Sequence, residues 1–154
     1  MRILITGGAG YIGSHCAKTL LDQGHVVTIF DNLSTGCKRM IDPRSRFINA
    51  STQNHEVLSQ VLRTFEIDSV IHFAGSSQAH ESLADPSKYY QNNLQGLMSL
   101  LLAMRNSNIK KLIFSSSAAV YGEPEADMIN ELHPKKPLHP YGKSLSMCED
   151  IISD

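Results

Sequence analysis

The sequence predicts an α/β domain built on a doubly wound parallel sheet, with helices on both faces and strand order 3-2-1-4-5. Three observations predict it. A β-rich run, Arg2 to Thr6, passes straight into the turn Gly7-Gly8-Ala9-Gly10-Tyr11-Ile12-Gly13 and then into an apolar-periodic stretch, Ile12 to Leu21. Short β-rich runs keep alternating with helical patterns to the end of the chain. A second apolar run, Val26 to Phe30, closes on an acid, Asp31.

The elements follow in order. Arg2 to Thr6 and Val26 to Phe30 are strands one and two, and Arg46 to Asn49, Ser69 to Phe73 and Lys111 to Ser115 are strands three, four and five. Helices are expected between them. Glu56 to Phe65 carries Val57, Leu58, Val61, Leu62 and Phe65 at helical spacing, and Pro86 to Asn106 reads as one longer helix, apolar on most faces. Residues 121–140 are rich in Pro, Gly, Lys and Glu and read as an irregular loop. Pro140 then opens a last helix, Tyr141 to Ile152, with Leu145, Cys148, Ile151 and Ile152 as its apolar positions.

In such a sheet ligands bind past the strand C-termini. That selects Gly7 to Gly13, Asp31-Asn32, Ala50 to Thr52, Phe73-Ala74-Gly75 and Ser115-Ser116-Ser117. Gly7, Gly10 and Gly13 let the backbone turn sharply and approach a pyrophosphate, while the helix N-terminus offers unpaired N–H donors and partial positive charge. The expected ligand is a dinucleotide. Asp31 lies where the adenosine ribose would sit; a carboxylate accepts from both ribose hydroxyls and repels a 2′-phosphate, which favours NAD over NADP. Two other readings stay open: Asp31-Asn32 as a simple turn start, and Lys38 and Arg39 as holders of a phosphate.

Composition narrows the function. The 154 residues fit one domain, residues 1–154, and 42% hydrophobic content with a net charge of −1 describes an ordinary globule without the basic field a nucleic acid would need. Lys110-Lys111 and Lys135-Lys136 read as solvated loop charges. No membrane role is expected, since the N-terminus reads as the first strand rather than a leader and the longest apolar stretch, Leu94 to Met104, falls short of the about 18 residues a span requires. Cys16, Cys37 and Cys148 lack metal spacing and leave one unpaired, which suits a reduced cytoplasmic setting; seven scattered histidines suggest no metal.

Ser117, just past a strand, and Tyr141, at the start of the last helix, are the polar residues best placed to act on a substrate. Taken singly, each also reads as an ordinary turn or packing residue. The segments Thr6 to His15, Phe30-Asp31-Asn32-Leu33, Val70 to Gly75, Tyr89-Tyr90-Gln91-Asn92-Asn93, Phe114 to Gly122 and Pro140-Tyr141-Gly142-Lys143-Ser144 together resemble the extended short-chain dehydrogenase/reductase family, of the NAD-dependent epimerase/dehydratase type. Within it the likeness is to the sugar-nucleotide 4-epimerases.

The resemblance implies a Rossmann fold whose NAD takes hydride from C4 of a UDP-hexose and returns it to the other face. Tyr141 would take the O4 proton and Ser117 would hydrogen-bond O4. NAD contacts would come from Gly7, Gly10, Tyr11, Ile12, Gly13, Asp31, Asn32, Ser51, Thr52, Phe73, Ala74, Gly75, Ser77, Asn93, Ser115 and Tyr141. The family's dimer implies a homodimer through helices 86–106 and 141–152.

Three positions depart from the family pattern. A lysine is expected four residues after the tyrosine, where it lowers the phenol's pKa; here Leu145 stands there, about 40° around the helix from Tyr141. Tyrosine ordinarily ionises near pH ~10, so base catalysis needs such a cation. Lys143 is about 200° around and points elsewhere. Ser51 replaces an aspartate beside adenine, and Ser77 a lysine near the pyrophosphate, so weaker NAD binding is expected. Family members also run to about twice this length, and without their later strands strand five would be a sheet edge. The expected function is therefore an epimerase-type NAD domain with impaired catalysis. The alternatives are a non-catalytic NAD- or partner-binding remnant, or another sugar-nucleotide dehydratase or reductase.

Overall fold

The computed structural model describes residues 1–124 and 128–154. Five parallel strands form one sheet in the order β3-β2-β1-β4-β5: β1 Arg2–Thr6, β2 Val26–Asp31, β3 Arg46–Asn49, β4 Ser69–His72 and β5 Leu112–Phe114. The predicted fold class and strand order hold. Register aligns Thr6 with Phe30 and with His72, so the strand ends that precede the glycine turn lie side by side. The helices, in chain order, are α1 Tyr11–Asp22, α2 His55–Thr64, α3 Ala79–Ala84, α4 Pro86–Tyr89, α5 Gly96–Asn106 and α6 Pro140–Ser153.

The chain divides into two compact units, residues 1–74 with 96–115 and residues 75–95 with 116–154. The first holds the sheet. Strand alternation sends Ile3, Ile5, Val27, Ile29 and Ile71 to one face, against Ala17 of α1, and Leu4, Phe30 and Val70 to the other, against Leu58, Val61 and Leu62 of α2 and Leu100, Ala103 and Met104 of α5. The central strands β1, β2 and β4 are buried on both faces, as a parallel sheet requires, while β3 and β5 are half-buried or exposed. The second unit holds α3, α4, the turn Ala118–Val120 and α6, around buried Tyr89, Asn93, Val120, Leu145 and Cys148.

Some elements differ from expectation. The helix predicted as one piece over 86–106 is α4, then a π-helical segment Tyr90–Gln95, then α5. A run that is apolar on most faces carries no sharp phase for the extra residue to shift, so periodicity does not reveal it. Helix α3 was not expected; six residues carry too little periodicity to read. Of the predicted loop 121–140, residues 125–127 lie outside the described residues, Pro140 begins α6, and the others form neither helix nor strand. Among the described residues no helix is long and apolar enough to cross a membrane, and no group of three His, Cys, Asp or Glu is placed to hold a metal.

Candidate functional site

In the first unit the site is a backbone cradle. After Thr6 the chain reverses at Gly7, whose φ of +71° suits glycine, and a Cβ there would lie 2.6 Å from the Ala74 nitrogen. Gly13 is equally constrained, because any side chain would collide with the Gly7 carbonyl oxygen. The turn is tied by N–H donation from Gly7 to the Phe30 carbonyl (2.9 Å), from Gly10 to the Gly7 carbonyl (3.1 Å) and from Ser14 to the Gly10 carbonyl (3.0 Å). Gly10 caps α1 without a side-chain hydrogen bond, and the first turn holds no acid. The helix therefore presents bare N–H groups and the positive end of its dipole, a donor set that fits an anionic phosphate. The Tyr11 and Ile12 side chains are 77% and 60% exposed, so they leave the cradle to backbone.

Asp31 is buried at the end of β2. Its Oδ2 accepts from the Ala9 N–H (3.0 Å) and its Oδ1 from the Leu33 N–H (2.8 Å), while Asn32 Oδ1 accepts from the Ser34 N–H (3.0 Å). Asp31-Asn32 is thus a turn start and also a brace for the glycine loop. Each Asp31 oxygen keeps further acceptor capacity for a ribose hydroxyl. Cys37 donates its N–H to the Ala9 carbonyl (3.0 Å), and the Arg39 guanidinium beside it holds its thiol below the ordinary thiol range.

His72 ends β4 beside Thr6, and the Thr6 hydroxyl bonds its Nδ1 (2.6 Å), a tie the sequence motif alone does not disclose. Burial pushes its pKa down to about 4, so it is neutral. Phe73 donates its N–H to the Thr6 carbonyl (2.9 Å), and Ser115 donates its N–H to the His72 carbonyl (3.1 Å). Thr52 is buried; a Cβ on Gly96 would lie 2.6 Å from its hydroxyl. Ser51 accepts from the Gln53 N–H (3.3 Å) within its own turn.

The second unit carries the remaining residues. Asn93, buried in the π-helical segment, accepts from the Ser76 N–H (2.7 Å) and donates to the Ser76 carbonyl (3.2 Å) and the Ser144 hydroxyl (3.0 Å), anchoring the Gly75–Ser77 segment to α6. Ser77 itself is exposed. Ser117 caps the turn Ala118–Val120 by accepting from the Ala119 N–H (3.2 Å). That turn rests on the first turn of α6 so closely that a Cβ on Gly142 would collide with the Ala119 carbonyl oxygen. This contact joins the turn that follows Ser117 to the helix turn that carries Tyr141. The neighbouring Ser116 hydroxyl donates to Glu149, which also takes the Lys135 ammonium (2.6 Å).

Tyr141 lies between aromatic partners, Tyr89 edge-on at 6.2 Å and His139 stacked at 6.0 Å. Leu145, one turn along, is 6% exposed, and Lys143 is exposed. The structure therefore gives the lysine position to a buried apolar side chain, with Lys143 on the solvent side of α6.

Residues 3–153 match the NAD dependent epimerase/dehydratase family. The UDP-glucose 4-epimerase of Lacticaseibacillus casei is 47% identical over 152 residues, covering 99% of this chain and 46% of that protein. That of Bacillus subtilis is 43% identical over 161 residues, covering 100% and 48%. The crystal structure of UDP-glucose 4-epimerase from Brucella ovis in complex with NAD is similar with a TM-score of 0.97 at 39% identity, covering 99% of this chain and 47% of that one. The enzyme from Thermotoga maritima with UDP-glucose gives 0.94 at 30% identity, covering 99% and 50%. The chain spans about half the length of the curated relatives it matches. With a glycine cradle, a braced acid past β2 and a serine–tyrosine pair all on the residues so matched, this chain belongs to the NAD-dependent epimerase/dehydratase family.

Proposed function

We propose that residues 1–154 act as an NAD-binding domain of the UDP-glucose 4-epimerase type, with cofactor binding retained and epimerisation impaired. The observation that carries this reading is the glycine-lined, side-chain-free N-terminus of α1 beside the Asp31 carboxylate. The amides of that first turn hold the pyrophosphate, and Asp31 accepts from the adenosine ribose hydroxyls and repels a 2′-phosphate. NAD, when bound, supplies the hydride acceptor for C4 of a UDP-hexose. Ser117 hydrogen-bonds the sugar O4 and Tyr141 takes its proton. Buried Leu145 leaves the phenol without the ammonium that would favour its ionised form, which lowers turnover.

The same leucine favours a second reading, a domain that binds NAD or a partner and does not turn over. A dehydratase or reductase of the family is a third. The cytoplasm is the proposed location, and a homodimer through 86–106 and 141–152 is the proposed assembly, supported by exposed Met98 and Leu102, four residues apart on α5, and by exposed Met147 on α6.

The test uses the whole chain. At NAD concentrations about 100-fold above Kd, mass action stabilises the fold by about 2.7 kcal/mol, a rise in Tm of several degrees. No shift at millimolar NAD would end the proposal. UDP-galactose is expected to give no detectable UDP-glucose, and robust turnover would refute the role assigned to Leu145.

A further inference from the structure

Helix α6 is capped by a histidine. His139 is extended (φ −140°, ψ 161°), and its Nδ1 accepts from the Gly142 N–H at 3.2 Å, which places the ring proton on Nε2. Serine, asparagine or aspartate would satisfy that N–H equally well and at less steric cost. What a histidine adds is a ring. The cap bond fixes the imidazole's orientation, and in that orientation the ring lies nearly parallel to the Tyr141 phenol, 9° between planes and 6.0 Å between centroids. This is the offset-stacked range of aromatic pairs.

Tyr141 meets a second fixed surface. Tyr89 presents its ring at 68° and 6.2 Å, and Tyr89 is immobile for its own reasons. It is 0% exposed, its hydroxyl accepts from the Gln78 N–H (3.0 Å), and its proton is shared between the Gln78 carbonyl (2.5 Å) and Glu81 (2.8 Å). Burial first, and then Glu81, push its phenol up to about 12, so it stays a neutral packing surface.

We propose that His139 is a positioning residue for Tyr141: its cap bond to Gly142 locks an imidazole face that, with the Tyr89 edge, sets the direction of the phenol. The proposal rests on Tyr141 being the proton acceptor proposed above. It supplies the orienting partner that Leu145, an alkyl group one turn on, cannot provide through a hydrogen bond. His139 acts through Tyr141 and touches no substrate in this role.

The test reads the Tyr141 ring by NMR on the whole chain, with tyrosine and histidine rings isotopically labelled, so the absence of turnover does not affect it. The wild-type chain should show a cross-ring nuclear Overhauser effect between His139 and Tyr141, with Tyr141 resonances displaced by the imidazole ring current. His139→Asn keeps a capping acceptor and removes the face; it should abolish that displacement while Tyr11 and the helical circular dichroism stay unchanged. His139→Phe keeps a face and removes the acceptor that locks it, and should leave the displacement well below the wild-type value; a full wild-type displacement would overturn the role of the cap bond. Absence of the cross-ring effect in the wild type overturns the proposal without any variant. So does a His139→Asn chain whose Tyr141 resonances stay in place.

Discussion

Lowering the pH from 7.5 to 4.5 should remove about 2–3 kcal/mol of stability through one side chain, His72. It is 2% exposed and bonded to Thr6, whereas the other six histidines are half-buried or exposed. Desolvation pushes its pKa from 6.5 to about 4 in the folded chain. The folded state thus holds His72 neutral while the unfolded state takes a proton below about pH 6.5, so the unfolded state binds more protons and stability falls with pH across that window. The contribution is complete above pH 6.5, is lost progressively down to about pH 4, and is level below it. Carried to completion, a depression of this size corresponds to about 3 kcal/mol, most of which is lost by pH 4.5. Asp22, Asp42, Asp68 and Glu81 have carboxyls held below their ordinary range by neighbouring Lys or Arg groups, so their own losses come at lower pH. Urea titrations at a series of pH values measure the effect, and Tm should fall by about 5–10 °C over the same interval. The control is His72→Asn, whose Oδ1 can still accept from the Thr6 hydroxyl but which does not titrate. It is less stable at pH 7.5 through lost ring packing on Phe114 (5.8 Å between centroids), yet its stability should be nearly level to pH 4.5. If His72→Asn loses as much stability as the wild type across this range, the reasoning is wrong.

Two further outcomes follow from single positions. Thr28 lies on the Leu4 and Phe30 face of β2, 1% exposed, and its hydroxyl finds no partner among the described residues; Thr28→Val should raise stability by about 1 kcal/mol in the same urea assay. Gly13→Ala puts a methyl into the Gly7 carbonyl and should cost about 1–3 kcal/mol and erase the NAD-dependent rise in Tm, whereas a retained rise would show that the glycine turn is not the phosphate seat.

Legibility in the sequence follows the range of the interaction. β1 matches its predicted bounds, β2 and β4 differ by one residue at their C-terminal ends, and α1, α2 and α6 differ by a residue at one or both ends, because alternation and 3.6-residue periodicity are local signals that burial reinforces. The glycine turn was legible for the same reason: strand, Gly7 to Gly13 and helix are contiguous. The π-helical segment was not, because Tyr90–Gln95 exists to bring Asn93 onto Ser76 and Ser144, residues 17 and 51 positions away. The Thr6–His72 bond, across 66 positions, was hidden likewise.

The sequence by itself determined the fold class, the strand order and the place of the glycine turn between β1 and α1, since each is written in contiguous residues or in motif order. It also disclosed that position 145 is a leucine. Only the tertiary structure decided what surrounds these groups: that both Asp31 oxygens brace the glycine loop, that Leu145 is buried, and that Tyr141 lies against His139 and Tyr89. Side-chain environment is set by packing between distant segments, and no local pattern encodes it.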